Sequence, residues 1–247
     1  MAFLSPDNVR YDNGVKICEK IIPDSAVWNR DVKEGGYTYR KGTTYKANRP
    51  LSAIKGVTIH NTGRIKIPNG TTMAEQYTRA TYPNCNMGSV RVHYYVDENE
   101  AWQNLDEGEV GWHAADGNYG PGNSTTIAIE IIMDGTDAEY NRIAEDNGAR
   151  LCAAILKRHG LDENAVYQHH DWYARKDCPA YIRPHWSAFL ALVRQYLNDD
   201  AQAPSDYDKL VAELEEIKEK YRTEHASAQA LRGRILAAVE QYDTVAK

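Results

Sequence analysis

Two adjacent histidines precede a cysteine by eight or nine positions in VYQHHDWYARKDCP, residues 166–179. Imidazole nitrogen and thiolate sulfur are ligands that zinc prefers, and a loop that folds back can bring both to one ion. The other interpretation is a polar surface loop with an incidental cysteine. Both interpretations fit this stretch when it is taken alone.

Two residues far from this loop in the chain could complete a hydrolytic zinc site. His60 ends the alternating run GVTIH, and Glu130 interrupts the apolar run IAIEIIM. A catalytic zinc takes three protein ligands and leaves one position for water. His60, His169 or His170, and Cys178 would supply those ligands. A carboxyl group in an apolar strand has a raised proton affinity, so Glu130 would act as the general base.

Lys176, two residues before Cys178, could stabilise the oxyanion that forms when water attacks a carbonyl. Each residue also has a simpler interpretation: His60 as a strand-end histidine, Glu130 as half of a structural ion pair, and Lys176 as a solvated charge. Their joint occurrence favours the catalytic site.

The elements that would position these residues follow from periodicity and capping signals. A mixed α/β domain, with a central β-sheet flanked by helices, is predicted to end near residue 198. Residues 1–50 are expected to wrap irregularly around it, with a short strand at VKICEKII. The loop GWHAADGNYGPGNST is expected to lack regular structure. The other predicted elements are strands at GVTIH and IAIEIIM, a helix through MAEQYTRAT capped by Thr71 or Thr72, a hairpin in VRVHYYVDENEAWQNL, a helix from the capping box Thr136/Glu139 to Gly160, and a helix in RPHWSAFLALVRQYL.

The C-terminal part of the sequence differs in kind. Residues 199–205 have the composition of a linker, and from 206 to 247 apolar residues recur in steps of three and four over more than five heptads. This pattern predicts a coiled-coil-like helix. Its narrow apolar stripe needs another chain, the preceding domain or its own second half as a partner. Oligomerisation and cell-surface binding are the alternative roles.

Composition narrows the class of protein. A net charge of −6 over 247 residues argues against nucleic acid or an anionic membrane as the main partner. No apolar run reaches the roughly 18 to 20 residues of a membrane span, and MAFLSPDNVR lacks the pattern of a secretory signal. The four cysteines are expected to be free thiols or metal ligands, and the sequons at Asn69 and Asn123 to have no meaning.

Four segments occur in an order and spacing that resemble one enzyme family: VTIHNTG, SVRVHYYVDENEAWQNLDEGEVGWHA, TTIAIEIIMDG and QHHDWYARKDCP. They resemble the zinc-dependent N-acetylmuramoyl-L-alanine amidases of the type-2 amidase family, which is related to the peptidoglycan recognition proteins. The variant is most similar to endolysins of phages and prophages of Gram-positive bacteria. The resemblance covers about residues 40 to 198. It implies one Zn²⁺ per chain and hydrolysis of the amide between the lactyl group of N-acetylmuramic acid and L-alanine.

The family motifs match His60, His169 and Cys178 as zinc ligands, and Lys176 in the K-x-C-P segment. The segment from His169 to Cys178 is one residue longer than is usual in the family, so His170 stays an alternative ligand. Some relatives carry a catalytic tyrosine where this chain has Val92. That difference moves the catalytic role to the I-x-I-E carboxylate, Glu130.

His113, Trp112 and His93 are the predicted substrate-binding residues, although Trp112 could equally form a packed aromatic corner. The partner implied is bacterial peptidoglycan. Without a signal peptide, such a protein would collect in the cytoplasm and reach the wall after release. The alternatives are a non-catalytic peptidoglycan-recognition protein on the same fold, which the presence of Cys178 disfavours, and a structural zinc domain that assembles through the heptad tail.

Overall fold

The computed structural model describes residues 4–64, 71–199 and 220–221. The chain divides into two compact units, Met1–Asp200 and Ala201–Lys247. The predicted heptad tail lies outside the described residues apart from residues 220–221, which are helical, and so does the predicted linker after Asp199. The fold below is that of the first unit.

The described part of this unit contains nine strands and five α-helices. The strands are β1 (Asn8–Asp12), β2 (Val15–Glu19), β3 (Val32–Glu34), β4 (Tyr37–Tyr39), β5 (Gly56–Gly63), β6 (Tyr94–Val96), β7 (Ala101–Gln103), β8 (Thr126–Met133) and β9 (Val166–Gln168). The helices are α1 (Met73–Thr81), α2 (Pro121–Thr125), α3 (Ala138–Arg158), α4 (His169–Trp172) and α5 (Trp186–Asn198).

Seven strands form one mixed sheet in the order β1-β2-β7-β6-β8-β5-β9, and β3 pairs with β4 separately. The β1/β2 and β6/β7 pairs are antiparallel, and the other neighbours in the large sheet run parallel. The two longest strands, β5 and β8, lie side by side with partners on both edges. The nearly continuous apolar sequence of β8 reflects burial on both faces, whereas in β5 the buried residues Val57 and Ile59 alternate with polar ones.

Helices cover the two faces of the sheet differently. α3 and α5 pack on one face, where the side chains of β5 and β8 form the main core. Gly148 allows α3 to approach closely, since a Cβ there would lie 2.4 Å from Ile131 Cδ1. On the other face α1 covers only part of the sheet, with Met73 and Tyr77 among the buried side chains. His60 and Glu130 lie on this second, less covered face.

The sequence predicted the central elements of this α/β fold correctly, including the cap of α1, where Thr72 Oγ1 accepts a hydrogen bond from Glu75 N at 3.1 Å. The hairpin formed by β6 and β7 and the long helix α3 are also present. Among the described residues no helix is long and apolar enough to span a bilayer.

Three local predictions were wrong. The strand predicted in VKICEKII is present as β2, but the N-terminal segment does not wrap irregularly, because β1 and β2 form a hairpin that extends the main sheet beyond β7. α3 is capped by Asp137 and not Thr136, whose hydroxyl and N–H both bond to Asp134. The loop after His113 contains the short helix α2, since a proline is well tolerated in the first turn of a helix.

Candidate active site

Three potential metal ligands from separate elements meet on the partly covered face. The ligand atoms of His60, His169 and Cys178 all lie within 4.8 Å of one another, and the three side chains are buried. The parallel register that places Ile59 of β5 opposite Gln168 of β9 explains this arrangement. The residue after Ile59 and the residue after Gln168 are both histidines, and the two ring centroids are 4.6 Å apart.

Cys178 reaches the histidines because the segment after α4 folds back. Its Sγ lies 3.8 Å from His60 Nδ1. Two backbone hydrogen bonds stabilise this folded-back segment, from His170 N to Cys178 O at 3.0 Å and from Lys176 N to Tyr173 O at 3.0 Å. A thiol nine positions after His169 can therefore share one site with it.

The geometry favours His169 over its neighbour as the ligand. His169 is buried beside His60, and both of its ring nitrogens lack a hydrogen-bond partner. His170 is only half-buried, and its Nδ1 lies 3.1 Å from the carbonyl oxygen of Lys176. A buried imidazole without hydrogen bonds is costly, and a bound metal ion would remove that cost.

The protonation states fit a metal site. Burial lowers the pKa of His60 well below its ordinary value and that of His169 to about 4, so both rings are neutral and have lone pairs to donate. Burial raises the pKa of the Cys178 thiol to about 11. A thiolate at this position therefore needs a bound cation, and two nitrogens with one sulfur form a donor set suited to zinc.

Glu130 lies beside this cluster in the middle of β8. In the sheet register it is opposite His60 on one side and Tyr95 on the other. Its Oε2 is 3.8 Å from His60 Nδ1, and its side chain is 17% exposed. Burial raises the pKa of Glu130 to about 7, although the nearby charge of Lys176 acts in the opposite direction. This carboxyl group can thus gain and lose a proton near neutral pH.

Lys176 is exposed at the rim of the cluster. Its charge contributes to lowering the pKa values of His60 and His169 and acts on Cys178 in the same direction. The ammonium group is therefore within electrostatic reach of all three potential ligands.

His113 contacts the other side of His60. Its Nδ1 lies 3.1 Å from His60 Nε2, and its own Nε2 is buried without a partner. Because His60 Nδ1 faces Cys178 and Glu130, we assign the His60 proton to Nε2, which donates to His113. Such a bond fixes the tautomer and orientation of a metal-binding imidazole.

Asn123 holds His113 in place and was missed as a functional candidate. Its Oδ1 accepts hydrogen bonds from the backbone N–H groups of His113 and Ala114 at 2.8 and 2.9 Å, and its Nδ2 donates to Gly117 O at 3.0 Å. In the sequence it stood out only as part of a sequon. The residue belongs to α2, the helix that the sequence did not predict.

The other two predicted substrate contacts differ from each other. Trp112 is half-buried beside His113, and its backbone pairs with Arg91. His93 is fully buried, with its Nδ1 accepting from Ala128 N and its Nε2 bonded to Glu109 O. Both nitrogens of His93 thus hold neighbouring backbone, which leaves none for a substrate and corrects the role predicted for it.

Comparison with known proteins agrees with this fold. Residues 50–181 match the family model described as N-acetylmuramoyl-L-alanine amidase. These residues make up more than half of the chain, and the chain belongs to this amidase family.

Several of the matched relatives come from Bacillus species. The chain is 32% identical to the N-acetylmuramoyl-L-alanine amidase CwlH of Bacillus subtilis (strain 168) over 145 residues, which is 58% of this chain and 55% of CwlH. The solved catalytic domain of XlyA is similar with a TM-score of 0.56 at 26% identity, covering 72% of this chain and 99% of that domain. A mutant endolysin from Bacillus subtilis matches with a TM-score of 0.53 at 28% identity, covering 72% of this chain and 99% of that one. The chain spans about half the length of the curated relatives it matches.

Proposed function

We propose that this chain is a zinc-dependent N-acetylmuramoyl-L-alanine amidase that hydrolyses the amide between the lactyl group of N-acetylmuramic acid and L-alanine in bacterial peptidoglycan. The observation that carries the proposal is the convergence of His60, His169 and Cys178 beside Glu130. Membership of the amidase family supports the same reaction.

His60, His169 and Cys178 would hold one Zn²⁺ per chain. When bound, zinc lowers the pKa of a water molecule and polarises a carbonyl oxygen. The chain contributes two neutral imidazoles and a thiolate, and His113 keeps the His60 ring turned so that Nδ1 faces the site.

Glu130 would be the general base. Its carboxylate accepts the proton of the attacking water as the new C–O bond forms. The same carboxyl group then returns the proton to the nitrogen of L-alanine as the C–N bond breaks. Burial in an apolar strand raises the pKa of Glu130, which makes its carboxylate a stronger base than an exposed one.

Lys176 would stabilise the negative charge that develops on the amide oxygen during attack, since its ammonium group lies within electrostatic reach of the cluster. His113 and Trp112 would border the bound substrate. These roles assign the chemistry to side chains from β5, β8, α4 and the segment after α4.

The reaction is tested with purified full-length protein on Gram-positive peptidoglycan. Activity should disappear after removal of metal with a chelator and return with Zn²⁺, and each cleavage should release one new amino-terminal alanine. Cys178→Ser retains a similar shape but lacks the thiolate, so it serves as the matched variant that should neither bind zinc tightly nor release alanine. A protein with one zinc per chain that releases no amino-terminal alanine would refute the proposal.

The biological role we propose is that of a phage or prophage endolysin acting at the Gram-positive cell wall, supported by the endolysin relatives. Residues 1–198 would form the catalytic domain, with residues 1–50 packed on it, and 199–205 would link it to the heptad segment 206–247. That segment would mediate self-association or wall binding. Light scattering and wall sedimentation, with the full chain compared to a chain ending at Asn198, test this. An unchanged mass together with unchanged wall binding would contradict it.

A further inference from the structure

The second of the two adjacent histidines has its own set of contacts. His170 lies in the first turn of α4, and its Nδ1 is 3.1 Å from Lys176 O. A carbonyl oxygen can only accept, so the ring must carry its proton on Nδ1. The backbone N–H of His170 also donates to Cys178 O at 3.0 Å. One residue therefore bonds to both ends of the tripeptide 176–178.

This tripeptide contains Lys176 and Cys178, which both have proposed roles in the reaction. Its other anchors are the hydrogen bond from Lys176 N to Tyr173 O at 3.0 Å and an ion pair between Asp177 and Arg183. Lys176 itself is exposed, so burial does not fix its backbone. The His170 ring is the side chain that holds the Lys176 carbonyl.

We propose that His170 is a positioning residue: its ring fixes the Lys176 backbone and thereby aims the Lys176 ammonium group at the amide oxygen, while His169 serves as the metal ligand. The inference rests on the proposed amidase function. It gives the adjacent histidines different tasks, one through a buried ring that faces His60 and one through a half-buried ring that holds a loop.

The choice of substitutions separates the ring contact from other effects. Asparagine carries its amide nitrogen on Cγ, where histidine carries Nδ1, so His170→Asn retains a donor for Lys176 O. His170→Gln moves the amide away from that position, and His170→Ala removes it. All three retain the backbone N–H that bonds to Cys178 O. His185→Ala, a histidine that pairs with Glu145 outside the cluster, is the control for loss of a half-exposed imidazole.

We expect His170→Ala and His170→Gln to lower kcat by roughly 10- to 100-fold, because small displacements of a catalytic group cost this much. KM and zinc affinity, measured by chelator competition, should remain within about twofold because the substrate-binding residues and the three ligands are untouched. His170→Asn should restore most of kcat. In a Lys176→Ala background, His170→Ala should lower kcat no further, because residues that act as a unit are not additive.

Several outcomes would overturn the inference. These are a normal kcat in His170→Ala, no rescue by asparagine, full additivity with Lys176→Ala, or loss of zinc from His170→Ala but not from His169→Ala. A readout independent of activity is the imidazole ¹⁵N–¹H correlation spectrum of the full-length protein, which should show the His170 proton on Nδ1. A proton on Nε2 refutes the contact. An inactive wild-type protein with the proton on Nδ1 refutes the amidase function instead.

Discussion

Glu130→Gln retains the size of the side chain but removes its charge and its ability to take a proton. For turnover, the loss of a general base typically costs about 10²- to 10⁴-fold, and we expect kcat to fall by that amount. Zinc should stay bound, because Glu130 is not among the three clustered ligands and its Oε2 lies 3.8 Å from His60 Nδ1. The variant therefore separates the base from the metal site.

The same substitution should change the stability of the metal-free protein in a pH-dependent way. Burial raises the pKa of Glu130 from 4.5 to about 7, and each pH unit between these values corresponds to about 1.4 kcal/mol. The difference amounts to roughly 3 kcal/mol. Because the folded-state pKa is the higher one, the stabilising contribution of this group is fully present below pH 4.5 and is lost as the pH rises through about 7.

Urea denaturation of both metal-free proteins at several pH values measures this difference. Relative to Glu130→Gln, the wild type should lose roughly 3 kcal/mol of unfolding free energy between about pH 4 and pH 9. Glu139→Gln is the matched control, since Glu139 is an exposed carboxylate whose pKa is lowered by Arg142. If the free energies of unfolding of wild type and Glu130→Gln change with pH in parallel, burial does not raise the pKa of Glu130. Near-normal turnover of Glu130→Gln would assign the general base to another group.

Three further substitutions test other parts of the site and fold. Asn123→Ala leaves the buried N–H groups of His113 and Ala114 without their acceptor and should lower the free energy of unfolding in urea by about 2 to 6 kcal/mol. Asn123→Asp retains an acceptor oxygen, so a smaller loss is expected. Equal losses in the two variants would show that the Asn123 oxygen does not hold this backbone. Cys178→Ser should weaken zinc binding by at least about 100-fold in chelator competition, whereas unchanged affinity would remove the thiolate from the ligand set. Asp97→Ala removes a buried carboxyl group that accepts from three backbone N–H groups, and should destabilise by about 3 kcal/mol or more; a loss below 1 kcal/mol in the same assay would show that these groups find other partners.

Strand periodicity was sufficient to predict the core of the fold. β8 is apolar apart from Thr126 and Glu130, and the first half of β5 alternates apolar residues with polar ones, among them His60. The sequence could not give their pairing, yet two parallel neighbours bring these residues opposite each other. The potential ligands could be chosen from residue type and order because zinc accepts few kinds of side chain.

The failures have physical causes that differ from one another. β1 is short and mostly exposed, which hid its pairing with the predicted strand β2, but the turn between them contains Asn13-Gly14 with φ values of 50° and 82°, a pair that strongly favours a two-residue hairpin loop. That local signal was present in the sequence. The roles of Asn123 and His93 had no local signal, because both side chains bond to backbone brought near by the tertiary fold.

The N-terminal hairpin bears on how this domain could be joined to other domains. The family match begins at residue 50, yet β2 pairs with β7 through residues 17–19 and 101–103, and Lys20 and Ile22 continue these backbone bonds. A chimaera cut at residue 50 would leave β7 with an unpaired edge, and unpaired edges invite association between chains. The portable piece for engineering therefore starts before β1 and not at the boundary that family similarity suggests.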